Sequence, residues 1–167
     1  FSLPMNDTLA VEAHRISKTY GHFPALRGID LKVPQGVSVT LFGRNGAGKT
    51  TFLKIAATLA KPSHGKLSIH GFDIEQKPEN VRRSIGLLTH NTYVYRDLTP
   101  RENLAFFSKL YGLDDRPDYI DGLIEKGGLH RRRNDAVRLF SRGLLQRVGL
   151  ARVMLHSPQV LLLDEPY

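Results

Sequence analysis

The segment Gly43-Arg44-Asn45-Gly46-Ala47-Gly48-Lys49-Thr50 carries the densest chemistry in the chain. It matches the spacing G-x-x-x-x-G-K-S/T, in which glycines let the main chain wrap closely around an anion with its N–H groups turned inward. A helix beginning at Lys49 adds the positive end of its dipole at the same point. The pattern predicts a cradle for the phosphates of a nucleoside triphosphate. The Lys49 ammonium is expected to reach the β and γ phosphates, the Thr50 hydroxyl to ligate Mg2+, and Thr51 to help hold the α-phosphate.

A second constellation lies far downstream, where the apolar run Val160-Leu161-Leu162-Leu163 ends in two adjacent carboxylates, Asp164 and Glu165. Hard cations such as Mg2+ take oxygen ligands, so an aspartate at the carboxyl end of a strand suits a metal site, acting through water. Glu165 is then placed to orient or deprotonate an attacking water. Standing alone, a short strand followed by an acidic turn would be an ordinary surface feature. The phosphate cradle upstream gives the pair its meaning.

These residues need elements to position them. Leu9 to His14 alternates as a strand, Thr19 to Pro24 is rich in turn formers, and Gly28 to Val33 reads as a second strand closed by Pro34-Gln35-Gly36. The β-branched run Val37 to Phe42 predicts the strand that delivers the cradle, and Lys49 to Ala60 the helix that follows. In that helix Leu53, Ala56, Ala57 and Ala60 share one face, and Pro62 stops it. Lys66 to His70 and Ile85 to Leu88 read as further strands. From Thr99 to Asn134 the pattern is helical and polar, opened by Thr99-Pro100-Arg101-Glu102 as a capped start. Ser141 can cap a helix running to Leu155, and Val160 to Leu163 reads as a short buried strand. Strands alternating with helices predict an α/β layer fold with a largely parallel sheet.

Composition bounds the rest. The 167 residues suffice for one domain with one core, and the absence of cysteine excludes disulfides and thiolate metal sites. No apolar run approaches the roughly 20 residues of a bilayer span. Phe1 to Asp7 has neither the basic nor the apolar region of a secretory signal, and it lacks a starting methionine, so a trimmed or partial chain is expected unless Met5 is an internal start. A net charge of +8 favours polyanions without choosing among nucleotides, lipid headgroups and nucleic acid. The basic run Arg131-Arg132-Arg133 has no interleaved aromatics to stack bases and reads as a solvated face.

Between the cradle and the carboxylates, Phe140-Ser141-Arg142-Gly143-Leu144-Leu145-Gln146-Arg147 resembles the L-S-G-G-x-x-Q-R signature of ATP-binding cassette (ABC) proteins. The resemblance covers the chain from Leu9 to Tyr167. It implies a P-loop NTPase fold of the α/β class, with a RecA-like core, N-terminal antiparallel strands and a helical insertion at about residues 99–139. Residues 1–167 would form a partial nucleotide-binding domain, incomplete at its C-terminal end. It further implies ATP and Mg2+ as cofactors and hydrolysis of ATP, weak in this portion alone. Partners would be transmembrane transporter subunits, on the cytoplasmic face of the membrane as a peripheral component, and a second nucleotide-binding domain. In that head-to-tail pair, Ser141 and the Gly143 amide close the partner's nucleotide at a helix N-terminus. Tyr20, in Lys18-Thr19-Tyr20-Gly21, stands where the family places an aromatic that stacks on adenine.

Two positions depart from the family pattern. Arg142 replaces the first signature glycine, so its side chain points outward or toward phosphate. His90 stands where a glutamine usually touches Mg2+ and the attacking water; imidazole suits Mg2+ poorly, so a water-mediated or coupling role is expected. These departures, with the strings from Thr89 to Thr99, Glu102 to Leu104 and Asp164 to Tyr167, resemble the haem-exporter ATPases of cytochrome c maturation. The family's switch histidine has no counterpart here, and His64 and His156 read as surface or packing residues. Two other classes stay open: a soluble cassette ATPase acting on nucleic acid or ribosomes, supported only by net charge, and a nucleotide-binding switch without turnover, against which Glu165 argues.

Overall fold

The computed structural model describes residues 9–113 and 116–165. The chain divides after Ile85 into two compact units.

In the first unit, β1 (Leu9–Tyr20) and β2 (Phe23–Pro34) form a long antiparallel hairpin. Both strands extend well beyond the lengths read from the sequence, because Gly21 adopts φ 58° and closes a tight turn with Tyr20 opposite Phe23. Then come α1 (Lys49–Ala56), β3 (His64–Ile69), β4 (Phe72–Asp73) and α2 (Pro78–Ser84). The sheet order is β2-β1-β3-β4 and every pairing is antiparallel. Pro24 is tolerated because β2 is an edge strand. Ala13, Ile16, Leu67, Ile69, Ile55 and Val81 form the buried centre.

Two expectations are corrected in this unit. Val37 to Phe42 is not a strand: the run has no ladder, and Val37, Val39 and Phe42 are exposed, Phe42 to 91%. High β-propensity does not make a strand where no neighbour accepts the backbone hydrogen bonds. The four described strands of this unit pair antiparallel, as expected of the N-terminal strands of the P-loop NTPase fold. Helix α1 also stops at Ala56 rather than Ala60, since Thr58 turns into the left-handed region at φ 60°. Its buried face is Phe52, Ile55 and Ala56; of the expected stripe, Ala56 and Ala57 are buried, while Leu53 and Ala60 are half-buried. The polar helix α2 and the short strand β4 carry too weak a periodicity to be read in advance.

The second unit contains β5 (Ile85–Leu88), α3 (Pro100–Leu110), α4 (Pro117–Lys126), short 3-10 turns at His130–Arg132 and Val137–Leu139, α5 (Arg142–Met154) and β6 (Val160–Leu163). Thr99 forms the capping box read from the sequence. Its hydroxyl accepts from the Glu102 N–H at 3.2 Å, while its own N–H donates to the Glu102 carboxylate at 2.8 Å. Helices α3, α4 and α5 bury Leu104, Phe107, Ile124, Val148, Ala151 and Leu155 in one core. Strands β5 and β6 pair, so the expected strand is present, but it is buried on one face only: Leu162 is buried, while Leu161 and Leu163 are exposed. Gly86 is required where it stands, since a Cβ there would lie 2.3 Å from Val153 Cγ1.

Candidate nucleotide site

The cradle residues lie in the first unit on an exposed loop that leads into α1. Gly46 and Gly48 adopt φ 83° and 90°, conformations that only glycine takes without strain, and Gly48 is the left-handed N-cap of α1. A Cβ on Gly48 would sit 2.4 Å from the Ala25 carbonyl oxygen, so close packing on β2 forbids a side chain there as well. The Ala47 N–H donates to Arg44 O at 3.0 Å, and the Phe52 N–H to Gly48 O at 2.9 Å, fixing the turn and starting the helix. No acidic residue occupies the first turn of α1, so the positive end of its dipole is not offset locally. Lys49 Nζ donates to Gly43 O at 2.7 Å and to Arg44 O at 3.1 Å, folding the ammonium back over its own loop. A lysine and an uncompensated helix start on a glycine-rich loop form a donor set suited to phosphate.

Thr50 and Thr51 follow in the first turn of α1, part-buried. Tyr20 ends β1 about half exposed, with the Lys18 ammonium 5.0 Å from its ring centre.

In the second unit, the Asp164 N–H donates to Leu88 O at 2.9 Å, so the carboxylate pair leaves β6 anchored to the end of β5. Glu165 is exposed and has φ 46°, a left-handed conformation that costs a non-glycine residue energy and gathers at functional sites. Pro166 and Tyr167, part of the haem-exporter string, lie outside the described residues, as does the N-terminal segment with Met5.

Ser141 caps α5, its hydroxyl accepting from the Leu144 N–H at 3.4 Å, and Gly143 is exposed in the first turn. Arg142 lines a pocket of about 440 Å³ together with His90, Tyr93, Arg96 and Gln146. The residue that breaks the signature and the residue that replaces the family glutamine therefore share one cavity. Their separation of some fifty positions in sequence hid this, and Gln146 was missed as a link for the same reason. His156 packs against the Tyr111 ring at 5.4 Å, in line with a packing role.

A family model described as ABC transporter matches residues 26–167. The chain belongs to the ABC transporter family. Among similar ABC proteins is the ABC transporter ATP-binding protein NatA of Bacillus subtilis (strain 168), 39% identical over 145 residues, covering 85% of this chain and 59% of that protein. The bacitracin transport ATP-binding protein BcrA of Bacillus licheniformis is 36% identical over 151 residues, covering 90% of this chain and 49% of that protein. The chain thus spans about half the length of the curated ABC relatives it matches. A solved ATP-binding cassette, dimeric in a post-hydrolysis state with ADP and Pi, superposes with a TM-score of 0.81 at 26% identity, over 93% of this chain and 74% of that one. The match extends to the P-loop NTPase fold with its antiparallel N-terminal sheet. Among the described residues, no helix is long and apolar enough to cross a membrane.

Proposed function

We propose that this ABC domain binds and hydrolyses ATP as the nucleotide-binding subunit of a membrane transporter. It works peripherally at the cytoplasmic face, paired head-to-tail with a second such domain. The observation that carries the reading is the cradle, where the glycine-capped start of α1 and the Lys49 ammonium converge on one exposed loop. Bound ATP would supply the phosphoryl bond whose hydrolysis drives the cycle; the Thr50 hydroxyl and, through water, the Asp164 carboxylate are each oxygen donors of the kind Mg2+ takes.

This chain's own residues do the remainder. The main-chain N–H groups from Gly43 to Gly48, with Arg44, Asn45 and Ala47, hold phosphate oxygens, Lys49 neutralises their charge, and Thr51 steadies the α-phosphate. Tyr20 stacks on the base. Glu165 orients water and takes its proton. Ser141 and the Gly143 amide serve the nucleotide of the partner domain, at the N-terminus of α5. His90 acts in coupling rather than as a direct metal ligand.

The proposed cargo is haem, on the strength of His90 and Arg142; the bacitracin transport of a relative's name is the competing cargo. Co-purification of the whole protein from its native membrane, with identification of its companions, tests both. Small integral-membrane proteins of cytochrome c maturation support haem, and other permeases keep the transporter and change the cargo. Ribosomes or nucleic acid without a membrane subunit overturn the transporter reading.

A further inference from the structure

We propose that Gln146 is a positioning residue that ties the signature helix α5 to the segment running from β5 into the His90 loop, and through it to the Asp164–Glu165 pair. The proposal rests on the ATPase reading above. Gly149 lets α5 lie flush on that segment, since a Cβ there would be 3.0 Å from Leu88 Cδ1 and equally close to the Thr92 side chain. One turn back along α5, Gln146 is 8% exposed, and its Nε2 lies 3.3 Å from His90 O and 3.5 Å from Thr89 O. The preceding carbonyl, that of Leu88, accepts the Asp164 N–H at 2.9 Å. Three successive carbonyls are thereby shared between the helix that Ser141 caps and the turn that carries Glu165.

The amide's orientation follows from its surroundings, because the reverse flip would set its oxygen against two carbonyl oxygens. In the observed orientation Oε1 is buried with no hydrogen-bond partner. A buried polar atom left unsatisfied costs stability that an apolar side chain of the same length would not. Packing alone therefore does not account for glutamine. The two N–H contacts are at the long end for such bonds, which suits a tie that must break and re-form as the His90 loop moves. Arg142, one turn earlier on the same face, lines the same pocket.

The test compares the whole protein, in its membrane complex, with Gln146→Met, which keeps length and apolar bulk and removes both donors. The expected result is unfolding no earlier than wild type, KM for ATP within about twofold, kcat lower by about tenfold, and faster amide exchange at residues 89–93. Gly149→Ala, which lifts α5 off the same segment without touching Gln146, is expected to lower kcat in the same direction. Wild-type kcat and wild-type exchange in Gln146→Met would overturn the proposal. Exchange is read without turnover, so a wild-type protein that fails to hydrolyse ATP would sink the ATPase reading while exchange still decides the tie.

Discussion

Lys49 Nζ lies 2.7 Å from the carbonyl oxygen of Gly43, the first residue of its own loop. The cation is therefore poised at the cradle and satisfied by main-chain oxygens that are exchangeable for phosphate oxygens. Lys49→Ala is expected to weaken ATP binding by about tenfold to a hundredfold, equivalent to losing a charge-assisted hydrogen bond of about 1.5–3 kcal/mol. Thermal unfolding without nucleotide is expected to stay close to wild type. Titration calorimetry with ATP reads the first effect, and unchanged affinity would remove the cradle assignment.

Gly48→Ala meets two obstacles at one position, a left-handed φ of 90° and the Ala25 carbonyl 2.4 Å from the new Cβ. A loss of about 1–3 kcal/mol in unfolding free energy is expected, together with loss of nucleotide binding. Denaturant unfolding measures the first. A variant as stable as wild type would show that the α1 start can relax away from β2.

Glu165→Gln keeps the shape of the side chain and removes its basicity. ATP binding is expected to persist while turnover falls by on the order of a hundredfold or more. Phosphate release in single-turnover conditions reads this directly. Turnover equal to wild type would transfer the water-activating role to another group and revive a different reading of the Asp164–Glu165 turn.

The Thr99 N–H first, and its hydroxyl second, hold the carboxyl of Glu102 below its ordinary value of 4.5. A carboxylate with a lower pKa folded than unfolded stabilises the folded chain only while ionised. The contribution is fully present above the ordinary value and lost as pH falls through the lowered one. The start of α3 is expected to loosen over that acid range in wild type, and Glu102→Gln to remove this part of the pH dependence. Amide exchange at residues 101–103 as pH is lowered provides the measurement.

Local patterns were legible wherever the deciding forces are local. The glycine turn that starts a helix at Lys49, the Thr99–Glu102 capping box and the Ser141 cap all appear as read, because a glycine's φ or a side-chain cap depends on residues a few positions away. The strands were less legible. β1 and β2 grew past their apparent ends because hairpin pairing extends a ladder through residues of indifferent propensity, while Val37 to Phe42, with the strongest propensity, has no ladder.

By itself, then, the sequence determined the chemistry available: a glycine-rich loop ending in Lys49 and Thr50, a carboxylate pair at Asp164 and Glu165, and a helix capped by Ser141. Only the tertiary structure decided what those parts touch. It put Arg142 and His90 on one pocket, set Gln146 against the carbonyls of Thr89 and His90, and hung Asp164 on Leu88. The physical reason is that such contacts join residues remote in sequence, and their formation depends on how helices and strands pack against one another rather than on any short pattern.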